Sequence, residues 1–247
     1  MLADLSQADA EAADDAAATG TDTLRLLSQA QAATREPGAS TAVVLSLEGR
    51  TGTLRGTHVG DSGYRVLRGG VVVHVSEPQQ HAFDCPLQLG SAKYLPDTDR
   101  AEEGITADVA LQAGDVLLLA SDGLFDNISP EEMAQVAADA MAAAPPDADG
   151  AGAYAAAARV AAALAGGAAE HSRDRSYDSP YAREARRNAE ERRAAAGPLG
   201  ALAAAFGRSG DEPQPVRRAV HPASDAALRQ TAHIARPHVL RAGRQAG

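Results

Sequence analysis

The chain has 247 residues, 33 acidic side chains against 23 Lys and Arg, and a formal net charge of −10. That length suffices for one sizeable domain with tails, and the acidic balance excludes a general nucleic-acid binder, which needs a basic face to pair phosphates. One cysteine, Cys85, excludes an internal disulfide framework and a thiolate zinc site, and no run of about 18 apolar residues is present to span a membrane.

Aromatic residues make up only 3% and Trp is absent, so Ala, Val and Leu must fill the core. Lys93 is the one lysine beside many Arg and Ala. That is a coding bias, and it makes the long Ala tracts less informative. The N-terminus, M-L-A-D-L-S-Q-A-D-A-E, is acidic, unlike a secretory signal or an Arg-rich transit peptide. It implies a protein that stays where it is made, or a chain that begins inside a longer one.

Residues 1–36 read as a helical segment, with Thr21-Asp22 capping a helix that carries Leu24, Leu26, Leu27 and Ala30, and Pro37-Gly38 stopping it. A β-rich block follows. Thr41–Leu47 and Thr53–Val59 are strands around a Gly-containing turn, and Gly60-Asp61-Ser62-Gly63 breaks the second. Tyr64–Leu67 and Val71–Val75 are joined by Arg68-Gly69-Gly70, a tight hairpin turn. Short strands with short turns predict an antiparallel meander. Residues 76–106 carry little periodicity and read as a long, partly ordered loop. Ala107–Leu111 is a short strand, and Val116–Ala120 a central buried one.

Ser129, Pro130 and Glu132 form a helix start: N-cap, proline at the first helical position, acid three residues after the cap. This helix is expected to run to about Ala144, where Pro145-Pro146 ends it, and a second Ala-rich helix to cover 151–165. Tyr177–Arg193 holds a charged helical stretch. The expected organisation is a helical segment over 1–36, a domain over 37–195 and a disordered tail over 196–247.

The chemistry-bearing residues are acidic. Asp122 leaves the end of the strand Val116–Ala120, Gly123 permits a sharp turn, and Asp126 follows at the i, i+4 spacing of one helical turn. All-oxygen ligation of this kind suits Mg²⁺ or Mn²⁺. The plainer reading is a strand end and a turn cap. Asp61, between Gly60 and Gly63 inside the sheet block, is hard to explain by packing, because glycines there allow a bulge or a close approach. An ordinary turn is the alternative. Cys85 has no convincing base: His81 is four residues away on a loop. The alternating Arg and Glu of 184–193 read as a solvated helix face rather than a phosphate-binding patch.

Several motifs in order resemble the metal-dependent (type 2C, PPM) protein serine/threonine phosphatases. They are Ser40-Thr41-Ala42, H-V-G-D-S-G-Y-R-V-L-R-G-G (58–70), Gln80-His81, Phe83, Cys85-Pro86, Gln88-Leu89-Gly90 and G-D-V-L-L-L-A-S-D-G-L-F-D-N (114–127). The Q-H-x-F-x-C-P-x-Q-L-G stretch and Tyr177-Asp178-Ser179-Pro180-Tyr181-Ala182 are similar to the mitochondrial and plastid branch. The resemblance covers roughly residues 24–190. It implies an α+β fold, an α-β-β-α sandwich of two antiparallel sheets flanked by helices and incomplete at both ends. It implies Mg²⁺ or Mn²⁺ as cofactor, a metal-activated water attacking phosphoserine or phosphothreonine, and a phosphorylated protein as substrate. It implies that Asp122 is a central metal ligand, that Asp61 and Asp126 serve a further, weaker metal, and that Gly60 and Gly123 shape the turns around them.

The departures are specific. The family's Asp-Gly-x-Gly-Gly motif is absent, with no Asp-Gly before Asp61, and no Asp-Asp pair follows Asp122. One central ligand cannot replace a cation's hydration shell. The alternative function is therefore a catalytically inactive pseudophosphatase or phosphoprotein-binding module, and a third reading is a fragment that folds poorly. Nothing in the sequence names the substrate or the oligomeric state. Only the branch resemblance points to a plastid or mitochondrion.

Overall fold

The computed structural model describes residues 21–143 and 151–206, with only the backbone of 151 and 197–206. In chain order its helices are α1 (Thr23–Ala33), α2 (Asp122–Phe125), α3 (Pro130–Ala142), α4 (Ala151–His171) and α5 (Pro180–Phe206). Its strands are β1 (Ala39–Ser40), β2 (Ala42–Glu48), β3 (Thr53–Val59), β4 (Gly63–Arg68), β5 (Val71–Val75), β6 (Gln80–Ala82), β7 (Cys85–Pro86), β8 (Leu89–Gly90), β9 (Ile105–Ala110) and β10 (Val116–Ala120).

The strands do not form the expected meander. They divide into two antiparallel sheets, β2-β3-β9 and β10-β4-β5, with two short pairs, β1-β8 and β6-β7. The division falls at Gly60–Ser62, between β3 and β4. Gly60 has φ +94°, and a Cβ there would lie 2.4 Å from the Thr41 methyl and 2.5 Å from the Leu87 carbonyl oxygen. The chain passes from one sheet to the other through a gap that only a glycine fits. Hydrogen bonds then fix the crossing. The Gln79 N–H donates to the Gly60 carbonyl at 2.9 Å, and the Thr41 and Ser62 hydroxyls are 2.7 Å apart.

Alternation along each strand builds four layers. In the first sheet, Ala42, Val44 and Val59 pack with Leu27 of α1, and the Thr57 hydroxyl meets Thr23 of α1 at 2.7 Å. The opposite face sends Val43, Leu45, Leu54 and Val109 into the space between the sheets, where Tyr64, Val66, Leu117 and Leu119 meet them. The outer face of the second sheet carries Leu67, Leu118 and Ala120 against Met133, Ala134 and Ala137 of α3 and Val160, Leu164 and Ala168 of α4. The order helix, sheet, sheet, helices is the expected α-β-β-α sandwich.

With so few aromatics, one ring dominates the centre. Tyr64 is 1% exposed, and a Cβ on Gly56 would lie 2.7 Å from its ring. His74 stacks on it with centroids 5.3 Å apart, and His58 meets it edge-on at 6.3 Å. Burial pushes the Tyr64 phenol up and the His74 imidazole down from their ordinary values.

Local signals placed several elements well. The Asp22 carboxylate accepts the Arg25 N–H at 2.9 Å, and Ser129 Oγ accepts the Glu132 N–H at 3.2 Å, so both expected caps are present. The helix α4 runs past the expected 165 to His171, because Ala156, Val160, Leu164 and Ala168 repeat every four residues as a buried stripe. Residues 76–106 are ordered rather than loop-like. Their strands are two or three residues long, too short for a periodic signal, and Asp99 ties them together. Its carboxylate meets His81 Nε2 at 2.8 Å and accepts the Gln88 N–H at 2.7 Å. The tail expected from 196 is helical to Phe206. The expected helix over 1–20, the Pro145-Pro146 stop and the rest of the tail lie outside the described residues.

Two predictions follow from these contacts. Gly60→Ala lowers stability by about 1–3 kcal/mol, from overpacking and a positive φ. Gly123→Ala does not, since Gly123 is helical with its nearest Cβ neighbour at 3.4 Å; urea unfolding of the two variants reads the contrast. The second concerns the entry to β10. Arg68 donates twice to Asp115 at 2.7 Å, and the Asp115 side chain is 3% exposed. The Arg68 hydrogen bond holds the Asp115 carboxyl below its usual range. A depressed folded value means stabilisation that is present above about pH 4 and lost as pH falls through the folded value. Asp115→Asn therefore lowers the melting temperature at pH 7, and the gap from the unaltered chain closes on acidification.

Candidate functional site

The acidic residues are positioned by the β4–β10 pair. Gly63 stands opposite Ala120 and Tyr64 opposite Leu119. The ladder ends there, two residues after Asp61 and two before Asp122, so both segments leave from the same end of the sheet. The approach at Gly63 is close, since a Cβ there would meet Ser76 Oγ at 2.1 Å. Ser76 Oγ in turn accepts the Tyr64 N–H at 2.8 Å.

Beyond Ala120 the chain turns into α2 with Ser121 at the N-cap and Asp122 in the first turn. The Asp126 N–H donates to the Asp122 carbonyl at 2.8 Å, which is the helical turn that the spacing predicted. Gly123 is not in the left-handed region, so the sharp turn expected of it is an ordinary helical one. Its carbonyl accepts from the Asn127 amide at 3.0 Å.

Residues that the sequence reading did not single out hold this turn. The Arg65 guanidinium lies 4.3 Å from the Phe125 ring centroid and 3.3 Å from Met133 Sδ. Its burial lowers its pKa, and Glu131 opposes that shift; a guanidinium remains a cation all the same. A cation over a ring thus pins α2 to β4. The His171 Nδ1–H donates to the Asn127 carbonyl at 2.8 Å, and the His171 ring stacks on Tyr177 at 3.7 Å. The Tyr177 hydroxyl donates to Glu132 at 3.1 Å. The Tyr181 N–H donates to the Asp126 carbonyl at 3.1 Å.

Tyr181 also joins two separate motifs. Its ring lies 5.4 Å from Phe83 and its hydroxyl donates to Asp84 at 3.2 Å. The F-x-C-P hairpin and the Y-D-S-P-Y-A segment therefore meet beside Asp126. Asp84, at the tip of the β6–β7 hairpin, has φ +59°, a conformation that Asp tolerates better than most residues. Cys85 is exposed and His81 is engaged by Asp99, so neither forms a nucleophile and base.

The carboxylates at this sheet end, Asp61, Asp122 and Asp126, are the right donor type for a hard divalent cation. Among the described residues, however, no group of three or more His, Cys, Asp or Glu side chains is arranged to hold a metal. By themselves these residues do not fit a two-metal centre. Among the described residues no helix is long and apolar enough to cross a membrane.

No family model matches the chain. Among curated proteins, it is 38% identical over 165 residues to "Probable protein phosphatase 2C 1" of Oryza sativa subsp. japonica, covering 65% of this chain and 43% of that one. It is 35% identical over 164 residues to "Probable protein phosphatase 2C 26" of Arabidopsis thaliana, covering 65% and 48%. The human "Protein phosphatase PTC7 homolog" is 43% identical over 97 residues, covering 37% and 31%. The solved structure of the photosystem II phosphatase PBCP matches at 37% identity with a TM-score of 0.57, covering 67% of this chain and 58% of that one. The chain thus spans less than two thirds of these relatives. With the sandwich and the ordered motifs in accord, the chain is similar to the metal-dependent, type 2C protein phosphatases.

Proposed function

We propose that the chain acts in the metal-dependent hydrolysis of phosphoserine and phosphothreonine in proteins, with Mg²⁺ or Mn²⁺ as the metal. The observation that supports this is the shared end of β4 and β10, from which the Asp61 and Asp122 segments both leave and a helical turn leads on to Asp126. A bound divalent ion would supply an activated water and charge neutralisation for the phosphoryl oxygens. The protein's own part is to hold the carboxylates in place. Asp122 is rooted at the end of a paired strand, Asp61 in a loop tied to Gln79 and Thr41, and Asp126 in a turn clamped from α5 and, through Asn127, from α4. The relatives' names support a phosphoprotein substrate, and the photosystem II phosphatase supports an organellar setting for this branch.

Asp122→Asn keeps the size and shape of the side chain and removes its charge. Purified chain is expected to release phosphate from a phosphothreonine peptide only when Mn²⁺ is present. Asp122→Asn is expected to lower that rate at least a hundredfold, with an unchanged melting temperature. A folded chain with no Mn²⁺-dependent turnover would overturn the catalytic reading and leave a phosphoprotein-binding module. Loss of turnover in Asp122→Asn together with loss of the cooperative melt would place Asp122 in folding instead.

A further inference from the structure

The corner between α4 and α5, residues 172–179, is a loop shaped by one carboxylate oxygen. Asp174 Oδ1 accepts the Ser176 hydroxyl at 2.6 Å and the Ser176 N–H at 2.8 Å. The Asp174 carbonyl accepts the Tyr177 N–H at 3.3 Å. The hydrogen bonds from Ser176 hold the Asp174 carboxyl below its usual range, so it is ionised at neutral pH. Tyr177 comes next in the chain, stacked on His171 and bonded to Glu132. His171 in turn holds the Asn127 carbonyl. Ser176 therefore sits beside the residue through which the corner is fixed to the turn that carries Asp126.

The sequence around Ser176 is R-D-R-S, with Arg173 three residues before the serine and Arg175 one before it. All three side chains are exposed. Many protein kinases choose a serine by pairing acidic groups of their cleft with an arginine at that distance, using the bidentate fit of guanidinium to carboxylate. They take the serine from a segment that can extend into the cleft. Among the described residues an arginine also stands three before Ser28 and Thr53. Ser28 lies within α1 and donates to Glu102 at 2.7 Å. Thr53 lies in β3, opposite Glu48 on one side and Ala110 on the other. Of the three, Ser176 is the one in a loop.

We propose that Ser176 is a phosphorylation site for an arginine-directed protein kinase, and that its phosphate releases the corner from His171. The Ser176 hydroxyl oxygen attacks the γ-phosphorus of a nucleoside triphosphate. An O–P bond forms, the bond from that phosphorus to the bridging oxygen breaks, nucleoside diphosphate leaves, and the hydroxyl proton passes to the kinase's base. The product has no hydroxyl proton to donate to Asp174. It carries about two negative charges at neutral pH, placed beside the Asp174 carboxylate and two residues before Asp178. The lost donation and the repulsion both part Ser176 from Asp174. Tyr177 loses the backbone support that seats its ring on His171, and the turn after Asp122 loses one of its clamps. None of this depends on phosphate hydrolysis by the chain itself.

The test incubates the full chain with the catalytic subunit of cyclic-AMP-dependent protein kinase, an arginine-directed enzyme, and a γ-thiophosphate nucleotide. The thiophosphate product resists removal by the chain. Peptide mapping by mass spectrometry is expected to find the label on Ser176, and Ser176→Ala to abolish it. Arg173→Ala lowers incorporation at least tenfold while the chain still melts cooperatively. In the labelled chain the Tyr177 and Tyr181 amides exchange at least tenfold faster than in the unlabelled one, and the amides of β3 and β4 are unchanged. Three results would overturn the inference: a cooperatively folded chain that takes no label on Ser176, labelling that Arg173→Ala leaves unchanged, or a labelled chain whose Tyr177 and Tyr181 amides exchange no faster than before.

Discussion

The antiparallel register between β4 and β10 is the constraint on which the rest depends. Gly63 opposite Ala120 ends the ladder and sends the Asp61 and Asp122 segments out at the same end of the sheet. A slip by one residue would turn Leu117 and Leu119 to the helices and Leu118 to the interior. Arg68 and Asp115 pin the entry to β10, and Ser76, just past β5, holds β4 from its other side at Gly63 and Tyr64. Tyr64 locks the middle by filling the place that Gly56 leaves.

From that pair the acidic end is assembled outward. The turn α2 is fixed by Arg65 beneath Phe125, and its last residues are held by His171 and Tyr181 through backbone carbonyls. The carboxylates are therefore placed by neighbours that do not themselves carry the acidic chemistry. Tyr181 further couples this end to the β6–β7 hairpin through Phe83 and Asp84. Motifs more than fifty residues apart in sequence thus converge on one surface.

Much of this was legible in the residues, where the signal is local. The limits of β3 follow from Gly52 and Gly60 on either side of it, and those of β5 and β10 from apolar runs that begin after Gly70 and Asp115. The starts of α1 and α3 follow from Asp22 and Ser129, whose side chains satisfy helix-end N–H groups. What was not legible is set by contacts distant in sequence. The four strands 42–75 read as one meander, because nothing local says that Gly60 crosses between sheets; its crowding by Thr41 and Leu87 exists only in the fold. The order within 76–106 depends on Asp99 gathering strands too short for periodicity. The roles of Arg65 and His171 were hidden because each supports another residue rather than forming a motif. The central reading of β10 described its composition well, yet among the described residues it stands at an edge.

The most direct check of the acidic sheet end is paramagnetic broadening of backbone amide signals by substoichiometric Mn²⁺ in the folded chain. If the β4–β10 register gathers the carboxylates, amides of Gly60–Gly63 and Asp122–Asn127 broaden first and together. Selective broadening at Glu131 and Glu132 of α3, or uniform broadening along the chain, would contradict it.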